Sequence, residues 1–476
     1  MRFKTYYLTE AEQLKDWKGY INRIPALKNG IEILKKLEKY GKAYIVGGAV
    51  RDIISGEKEP DDIDISTNVP MEKIESMFDT HDIGANKDFG IVVIKYKSES
   101  YEIAQFRRDG TYTDGRRPDK IEVLASFKGD AERRDFTINA MAVDSKGNII
   151  DYFDGTKDIK NKLLKTVGDP DKRFSEDYLR MLRAVRFSSR LGMDIDPDTA
   201  SAIKRSSINI KKISPERISK ELIKMAKQKG TKFADAIVQL DKVGLLQHIL
   251  PEIYKMKEFE HEKEHHPEGG VYDHTLSALR ANDSDDYILN LAILFHDVGK
   301  VNTKTITPEG RIQYLLHARE GADMIDDISA RLKLTNNTRD AIKFSALNHM
   351  KIHELTKMSN NKIIKLMNDP HWDTLLAVGQ MDAKARGELF KKAEWDAIKL
   401  KIDQITKRYE SDEKNIDALT NIRKVVNGDL VMKIKKITKP SKKVGDYISA
   451  TVEWIVNNNI DVKNVKKIER FIKEYK

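Results

Sequence analysis

Apolar residues follow two different spacings along this chain, and the change between them divides it. Between residues 43 and 150, short apolar or alternating runs separated by turns predict strands. The predicted strands cover residues 43–46, 63–66, 90–96, 101–104, 120–123 and 140–143, with one helix near 71–78. Before this region, and again from about residue 174, a helical pattern predominates. The pattern predicts an α/β head with one mixed sheet, followed by an all-helical region.

The composition of the chain limits which binding partners and which catalytic groups it can have. The chain of 476 residues predicts several domains. It has no cysteine, which excludes disulfides, zinc–thiolate sites and cysteine nucleophiles. Its net charge of +10 favours a polyanionic partner, nucleic acid before membrane. Because no signal peptide and no apolar run of about 18 residues is seen, we expect a cytoplasmic protein that spans no membrane.

A glycine turn and two aspartates stand out after the first predicted strand. Gly47 and Gly48 follow the strand directly, where glycine lets backbone N–H groups approach an anion, and Arg51 adds a fixed charge. Asp62 and Asp64 lie two apart, so on a strand they share one face and can bind Mg²⁺. Either feature alone is also typical of a plain turn or an acidic loop. Together they predict phosphoryl or nucleotidyl transfer without a Walker-type phosphate loop.

Three further segments add charge to this prediction. Residues 106–118 form a basic loop with glycines, and residues 132–142 contain a second arginine-rich motif. The segment 173–187 predicts a helix on which Asp177, Arg180 and Arg183 share a face. The alternative interpretation of that face is a set of ion pairs on a solvated helix.

Taken together, these segments resemble the class II tRNA nucleotidyltransferases, or CCA-adding enzymes, in a group that also contains bacterial poly(A) polymerases. The similarity covers roughly residues 30–225, through five motifs in the family's order. It implies that Asp62 and Asp64 bind Mg²⁺ and that the loop 107–117 helps the switch from C to A addition. It also implies nucleotide contacts from the glycine turn, the arginine-rich motif and the base-reading motif: Gly47, Gly48, Arg51, Arg133, Arg134, Asp135, Asn139, Glu176, Asp177, Arg180, Arg183 and Arg186.

The chemistry of the base-reading motif is plausible by itself. A carboxylate beside a guanidinium offers one acceptor and several donors, which can pair with the edges of cytosine and adenine. Guanine and uracil present a carbonyl where the amino group should be. Glu102, in the predicted strand 101–104, is our candidate for a third catalytic carboxylate.

Histidines concentrate in a second region. Five of the eleven lie between residues 261 and 300, where an apolar helix ends in His296-Asp297. The order His274, His296-Asp297, Asp382 resembles the HD superfamily of metal-dependent phosphohydrolases, with His317 and His349 as outer or second-metal groups. The donor set suits Mn²⁺, Fe²⁺, Ni²⁺ or Mg²⁺. The resemblance implies phosphodiesterase or phosphatase activity, and the alternative is a domain that only helps to bind tRNA. We expect the remaining histidines of this region to lie on the surface: His261, His265 and His266.

The tail resembles the C-terminal element of bacterial CCA-adding enzymes at residues 426–430 and 444–448. The lysine-rich stretch 433–443 between them predicts an exposed loop that contacts RNA phosphates or is simply solvated. The implied organisation is an N-terminal extension (1–30), the head (31–165), a neck (166–255), an HD domain (256–395) and a helical tRNA-binding tail (396–476).

The sequence thus leads to one hypothesis and several rivals. We expect Mg²⁺-dependent addition of C, C and A to the 3′ end of tRNA from CTP and ATP. A poly(A) polymerase, or an enzyme that adds only CC or only A, remains open. A rival of another class is an HD phosphohydrolase whose head only binds tRNA, and the simplest is a tRNA-binding protein with two inactive sites. The oligomeric state is left open.

Overall fold

The computed structural model describes residues 17–56, 60, 62–81, 90–109, 121–260, 269–410, 422, 425–439, 441–458, 460–461 and 464–475. Within the first 165 residues it has two N-terminal helices, then strands interleaved with short helices. They are α1 (Trp17–Arg23), α2 (Pro25–Leu37), β1 (Ala43–Val46), α3 (Gly48–Ser55), β2 (Asp64–Thr67), α4 (Met71–Met77), β3 (Asp79–His81), β4 (Ile91–Tyr96), β5 (Glu99–Gln105), β6 (Arg107–Asp109), β7 (Ile121–Val123), α5 (Phe127–Glu132), β8 (Ala142–Val143), β9 (Ile149–Ile150), α6 (Gly155–Lys160) and β10 (Leu163–Leu164).

The predicted mixed sheet of the head is confirmed and has seven strands in the order β3-β4-β5-β2-β1-β8-β9. β2 is antiparallel to β1 and parallel to β5. In that register Val46 is opposite Asp64, and Ile65 is beside Ile103. The end of β1, the start of β2 and the middle of β5 therefore meet, where the glycine turn begins.

Two details of the head differ from the prediction. β2 begins at Asp64, so Asp62 precedes the strand and is not part of its alternation. The predicted strand 120–123 is outside the sheet, because β7 pairs with β6 as a separate two-stranded ribbon.

One face of the sheet packs on α2, and this packing holds the site edge in place. Leu34 of α2 shares a core with Ile45, Ile65 and Ile103 from the three central strands, all of them fully or almost fully buried. The other face carries a smaller cluster around Phe106 and Phe127. The sheet is thus covered by apolar residues on both faces, which leaves its strand ends to carry the polar groups.

The described residues after the head are mainly helical, with three short strands, of which one pairs with β10 and the other two pair with each other. It contains α7 (Pro170–Glu176), α8 (Leu179–Leu191), β11 (Asp194–Ile195), α9 (Pro197–Ser206), α10 (Pro215–Ala226), α11 (Gly230–Lys242), α12 (Leu246–Ile249), α13 (Pro251–Lys255), α14 (Val271–Arg280), α15 (Tyr287–Phe295), α16 (Lys300–Thr303), β12 (Lys304–Ile306), β13 (Ile312–Tyr314), α17 (His317–Leu332), α18 (Asn336–His353), α19 (Asn360–Met367), α20 (Trp372–Ala385), α21 (Lys392–Glu410), α22 (Gly428–Lys435), α23 (Lys442–Asn457) and α24 (Val465–Glu474).

The helix predicted over 173–187 is interrupted. α7 ends at Glu176, Asp177 has extended dihedrals (φ −152°, ψ 105°), and α8 begins at Leu179. The Asp177 carboxylate accepts a hydrogen bond from the Leu179 N–H at 3.0 Å, which satisfies a donor at the start of α8. The prediction that Asp177 shares a helical face with Arg180 and Arg183 is therefore wrong. Asp177 lies at a break between two helices.

Packing joins the neck to the histidine-rich region. One buried apolar cluster runs from Phe136 to Ala385, across the boundary predicted at residue 255. A second cluster lies around Trp372 and Trp395, and a third joins α22, α23 and α24. The predicted lysine-rich loop is wrong in part, since 433–435 end α22 and 442–443 begin α23.

No helix within the described part of the chain is both long enough and apolar enough to span a membrane.

Candidate active sites

The glycine turn after β1 has a backbone that only glycine adopts without strain. Gly47 has φ 70°, in the left-handed region, and α3 begins at the next residue. A Cβ at Gly47 would lie 3.1 Å from an Arg134 guanidinium nitrogen. The turn therefore brings a helix N-terminus and an arginine together, an arrangement suited to an anion.

Three acidic side chains line the same cavity as this turn: Asp62, Asp64 and Glu102. Burial, followed by the nearby Asp64 charge, raises the pKa of Glu102. Burial also raises the pKa of Asp64, and Asp62 adds to this while Arg134 opposes it. These three side chains do not form a group whose ligand atoms all lie within 4.8 Å of one another. Two groups of histidines and aspartates, described below, do. Partly desolvated carboxylates of like charge at one edge are a donor set for hard cations.

The cavity has a volume of about 700 Å³ and lies between the sheet edge and the neck helices. Among the described residues, five acidic side chains and nine arginines line it. The arginines are Arg51, Arg107, Arg133, Arg134, Arg180, Arg183, Arg186, Arg190 and Arg217. Their excess of positive charge opposite the carboxylates is suited to a polyphosphate with bound cations.

Asp130 holds two of these arginines and was not found by sequence reasoning. Its fully buried carboxylate accepts hydrogen bonds from Arg133 at 2.7 Å and Arg134 at 3.1 Å. Burial raises the pKa of Asp130, but the two arginine charges outweigh it and the pKa is lowered. The spacing of three and four residues within one helical turn was a signal that could have revealed this.

A second network joins the glycine-turn helix to the neck. Arg51 donates to Asn139 at 2.6 Å and pairs with Asp52 at 2.7 Å. Asn139 donates to Asp135 at 3.0 Å, and Asp135 accepts from Arg183 at 2.7 Å. The structure thus brings together four of the predicted nucleotide-binding residues through one chain of hydrogen bonds.

The base-reading motif is divided between two partners. Asp177 and Arg180 line the cavity, whereas Glu176 does not and instead binds Arg180 at 2.6 Å. The Asp177 carboxylate pairs with Arg217 at 2.7 Å. Arg217 lies near the C-terminal end of the region covered by the resemblance, but it was not predicted as a site residue.

Arg186 is buried like Arg51, at the wall of the cavity. It binds the buried Glu221 at 2.6 Å, and its guanidinium lies 4.2 Å from the centre of the Phe187 ring. Arg183 and Arg51 also lie over this ring, at 5.3 and 4.9 Å. Phe187 therefore holds three guanidinium groups together at the cavity wall.

Several sequence predictions lie outside the described residues. They are the part of the loop beyond Asp109, and the three histidines expected on the surface: His261, His265 and His266.

The second site is a buried cluster of histidines and aspartates from five helical segments. His274 comes from α14, His296 and Asp297 follow α15, and Asp382 comes from α20. The donor atoms of His274, His296 and Asp382 all lie within 4.8 Å of one another. The Nε2 atom of His296 is buried and makes no well-aligned hydrogen bond, although it lies 3.3 Å from Asp297 Oδ2, so its lone pair or proton is poorly satisfied.

A second group adjoins the first through Asp297. Its oxygen Oδ1 lies 3.6 Å from His317 Nε2 and 3.5 Å from His349 Nε2, and these two nitrogens are 3.3 Å apart. Each ring's Nδ1 lies within 2.8 Å of a backbone carbonyl, so Nδ1 carries the proton and Nε2 a lone pair. Burial lowers the pKa of His317, which favours the neutral ring. Three acceptors therefore converge without a donor, and a cation between them would satisfy all three.

Two further residues complete this site and were missed from the sequence. Lys300 donates to Asp297 Oδ2 at 2.6 Å. Burial raises the pKa of Asp297, but the Lys300 charge and the neighbouring histidines together outweigh it and hold this pKa well below its usual range. His353 lies 2.6 Å from the other oxygen of Asp382. Since His349 and His353 are four apart on α18, the helical spacing was a signal for the pair.

Comparisons with known proteins agree with this architecture. A family model described as the poly A polymerase head domain matches residues 43–165, and one described as the probable RNA and SrmB-binding site of polymerase A matches residues 192–256. The chain is 42% identical over 238 residues to the CCA-adding enzyme of Ligilactobacillus salivarius, covering 49% of this chain and 56% of that enzyme. It is 45% identical over 202 residues to the CCA-adding enzyme of Bacillus licheniformis, covering 42% and 50%.

The match thus spans about half the length of these curated relatives. A solved structure extends the likeness to the whole chain: the Bacillus stearothermophilus CCA-adding enzyme in complex with CTP is 26% identical, with a TM-score of 0.68 over 95% of this chain and 98% of that one. The mixed-sheet head and the helical region after it therefore have the architecture of that enzyme, and the head matches the poly A polymerase head family.

Proposed function

We propose that this chain adds C, C and A to the 3′ end of tRNA, using CTP and ATP and releasing pyrophosphate. The observation that carries the proposal is the head cavity, in which the carboxylates at the sheet edge share one cavity with nine arginines. The similarity of the first half of the chain to CCA-adding enzymes supports it. So does the solved relative with CTP, which has the same fold.

In this proposal the two sides of the cavity have different tasks. Asp62 and Asp64, with Glu102 beside them, hold the Mg²⁺ ions, which when bound activate the attacking hydroxyl and stabilise the pyrophosphate. The glycine turn and Arg51 bind the triphosphate, and Arg133 and Arg134 add positive charge beside them, with Arg134 next to the turn. Because hydrogen bonds to Asp130 already orient these two arginines, little reorganisation is needed when substrate binds.

Base choice in this proposal belongs to Asp177 and Arg180. A carboxylate that accepts from an exocyclic amino group, beside a guanidinium that donates to ring acceptors, suits cytosine and adenine. Arg217 and Glu176 act as positioning residues, since each binds one member of the pair. A site built on such hydrogen bonds rejects a base that leaves them unmade.

The test is a measurement of product length. tRNA lacking its CCA end is incubated with Mg²⁺ and with each nucleoside triphosphate singly and together. We expect two C residues from CTP and one further A when ATP is present. Long A tails would indicate a poly(A) polymerase. A product that gains only CC, or only A, would indicate an enzyme limited to that addition. Absence of any extension would overturn the proposal.

We further propose a metal-dependent phosphohydrolase site in the HD domain. The donor groups would fit two cations, one held by His274, His296 and Asp382 and the other by Asp297, His317 and His349. Bound cations would supply a nucleophilic water and neutralise phosphate charge. Hydrolysis adds water to phosphorus and breaks the bond to the leaving oxygen, which receives the proton. We expect the substrates to be phosphodiester or phosphomonoester groups at RNA 3′ ends.

Metal content tests this second site without relying on activity. After dialysis against Mn²⁺ and removal of weakly bound ions, we expect two manganese ions per wild-type chain and one in His349→Asn. His371→Asn, outside the cluster, is the matched control and should keep both. Equal manganese content in His349→Asn and the control would overturn the two-ion assignment.

Location in the cytoplasm and tRNA contacts by the helical tail belong to the same proposal. The tail is rich in lysine, and sequence-independent RNA binding depends on such charge.

A further inference from the structure

One arginine that lines the head cavity, Arg190, is not used by the proposed nucleotide addition. It lies in the last turn of α8, and its side chain is 33% exposed. Its Nη2 atom donates to Asp52 Oδ2 at 3.1 Å, and its backbone carbonyl accepts from Lys232 of α11 at 2.5 Å. Its guanidinium makes no other hydrogen bond or ion pair with the residues that the structure describes, so most of its five donors stay available.

Arginines of α8 contact the head at intervals along the whole helix. Arg180 donates to a backbone carbonyl of the head at 3.1 Å, and Arg183 pairs with Asp135 at 2.7 Å. Arg190 is the third and pairs with Asp52. On an α-helix these three positions lie within about 80° of one another, and Arg190 is about 15 Å beyond Arg180 along the axis. One edge of α8 therefore borders the cavity from the base-reading residues to the helix that follows the glycine turn.

The charge around Asp52 is not balanced. This buried carboxylate lies 2.7 Å from Arg51 Nη2 through one oxygen and binds Arg190 through the other, so two guanidinium groups share one acid. Burial lowers the pKa of Arg51, which Asp52 opposes, and the charge of Arg190 lowers it further. A Cβ at Gly48 would lie 3.6 Å from Arg51 Nη2, so the two cations lie beside the glycine turn. An anion at that point would reduce their repulsion.

We infer that Arg190 binds the terminal phosphates of the incoming nucleoside triphosphate, the part that leaves as pyrophosphate. The inference rests on the proposed nucleotide addition, to which it adds a binding residue that sequence reasoning did not select. A nucleotide with its base at Arg180 and its triphosphate at the glycine turn lies along the same edge of α8, with its phosphate end toward the last turn. There Arg51 and Arg190 offer guanidinium donors, which pair well with phosphate oxygens.

Binding is tested by calorimetric titration of the full chain with CTP and Mg²⁺, without tRNA so that no addition occurs, and with CMP by competition. Arg190→Gln should raise the Kd for CTP about tenfold, as expected for loss of a charge-assisted hydrogen bond, and leave the Kd for CMP unchanged. Arg205→Gln, an exposed arginine paired with Asp171 outside the cavity, is the matched control and should change neither Kd. An unchanged Kd for CTP, or an equal rise for CMP, would overturn the inference.

A second variant keeps this test valid if thermal unfolding shows that Arg190→Gln does not fold. Arg190→Lys retains the charge but lacks the planar fork of donors, so we expect a rise of about threefold in the Kd for CTP and none for CMP. An unchanged Kd for CTP in this variant would then overturn the inference.

A phosphate of the tRNA is the other anion that Arg190 could bind. Gel-shift titration with tRNA lacking its CCA end, without nucleotide, distinguishes the two sources. We expect the same Kd for this tRNA in Arg190→Gln and wild type. A tenfold rise for the tRNA with an unchanged Kd for CTP would assign Arg190 to the RNA and overturn the inference.

A kinetic assay separates this inference from the function on which it rests. Arg190→Gln should lower kcat/KM for CTP and for ATP by the same factor, because the terminal phosphates are common to both. The preference for CTP over UTP should not change, and a changed preference would place Arg190 in base choice and overturn the inference. If wild type adds no nucleotide, the proposed function fails, while the comparison of CTP with CMP still decides what Arg190 binds.

Discussion

At the scale of single residues, the head cavity is organised by buried acids that hold arginines. Asp130 binds Arg133 and Arg134, and Asp135 binds Arg183. Each guanidinium keeps donors that its acid does not use, because arginine has five. These acids therefore fix where positive charge is offered to a substrate, and their loss should affect both stability and binding.

Asp135→Asn should lower the free energy of unfolding by about 2 kcal/mol near neutral pH. Burial raises the pKa of Asp135, but the Arg183 charge and the Asn139 hydrogen bond outweigh it, so the folded pKa is below the unfolded one. The stabilisation is therefore present above the unfolded pKa of about 4 and is lost as pH falls through the folded pKa. Urea unfolding should show the difference from wild type shrinking below about pH 4.

The control for this prediction is Asp171→Asn, which removes an exposed acid from its pair with Arg205. Exposed pairs contribute little, so its unfolding should match wild type at every pH. A difference for Asp135→Asn that did not change with pH would contradict the argument from its pKa.

Arg217→Gln should relax base choice if Asp177 reads the incoming base. Without Arg217 the Asp177 carboxylate loses the partner that holds one of its oxygens. We expect the preference for CTP over UTP to fall about tenfold, measured as incorporation into tRNA lacking CCA. Arg205→Gln, an exposed arginine outside the cavity, should keep the preference. Equal preferences in the two variants would reject the positioning role.

At the scale of elements, the sites lie where elements begin or end. The head site gathers the end of β1, the start of β2 and the break between α7 and α8. The histidine–aspartate site gathers the end of α15, the start of α17 and residues within α14, α18 and α20. Such junctions need close approach of backbones, and Gly299 shows this: a Cβ there would lie 2.0 Å from the His317 carbonyl oxygen.

Gly299→Ala should therefore lower the free energy of unfolding of the region around the histidine–aspartate cluster by about 2 kcal/mol or more, and should lower the manganese content of the protein. The clash is with the backbone of α17, which cannot move without shifting His317. Gly445→Ala is the matched control, because a Cβ there meets nothing within 4 Å. Thermal unfolding and metal analysis would check both variants, and an unchanged melting temperature and metal content in Gly299→Ala would contradict the packing argument.

At the scale of the whole molecule, one core connects the helices that follow the head with those that carry the histidine–aspartate cluster, yet the two sites use different side chains. The cluster from Phe136 to Ala385 makes these regions pack as a unit. The head carboxylates belong to the sheet edge, whereas the histidines project from α14, α17 and α18. We therefore expect structural coupling in unfolding but separate chemistry.

Asp62→Ala should abolish nucleotide addition and leave bis(p-nitrophenyl) phosphate hydrolysis within about twofold of wild type. His296→Asn should do the reverse, with thermal unfolding measured to show that it is folded. The reason is that each variant removes one ligand from one donor set, and distant sites without shared partners behave independently. Loss of both activities in either folded variant would contradict two separate sites.

The parts of the fold that sequence reasoning predicted are those set by local pattern. The apolar runs that became β1, β2 and β5 predicted the sheet, and the apolar helix before His296 predicted α15. The break at Asp177 was not predicted, because the helical pattern of apolar residues continues through it. The break is stabilised by one hydrogen bond from the Leu179 N–H to the Asp177 carboxylate at the start of α8. Asp130 was missed although its spacing to Arg133 and Arg134 was a local signal. Arg217 was missed because nothing local distinguishes an arginine that faces a cavity from one that faces solvent.

The sequence by itself determined the order of the elements, the residue types available for metal and phosphate, and the resemblance that named them. These follow from short-range spacing, which is written along the chain. Only the tertiary structure decided which charges meet: Asp177 with Arg217, His353 with Asp382, and Asp297 between two groups of histidines. Asp177 and Arg217 are 40 positions apart in the sequence, and His353 and Asp382 are 29 apart. Packing of distant segments, and not sequence spacing, brings these partners together.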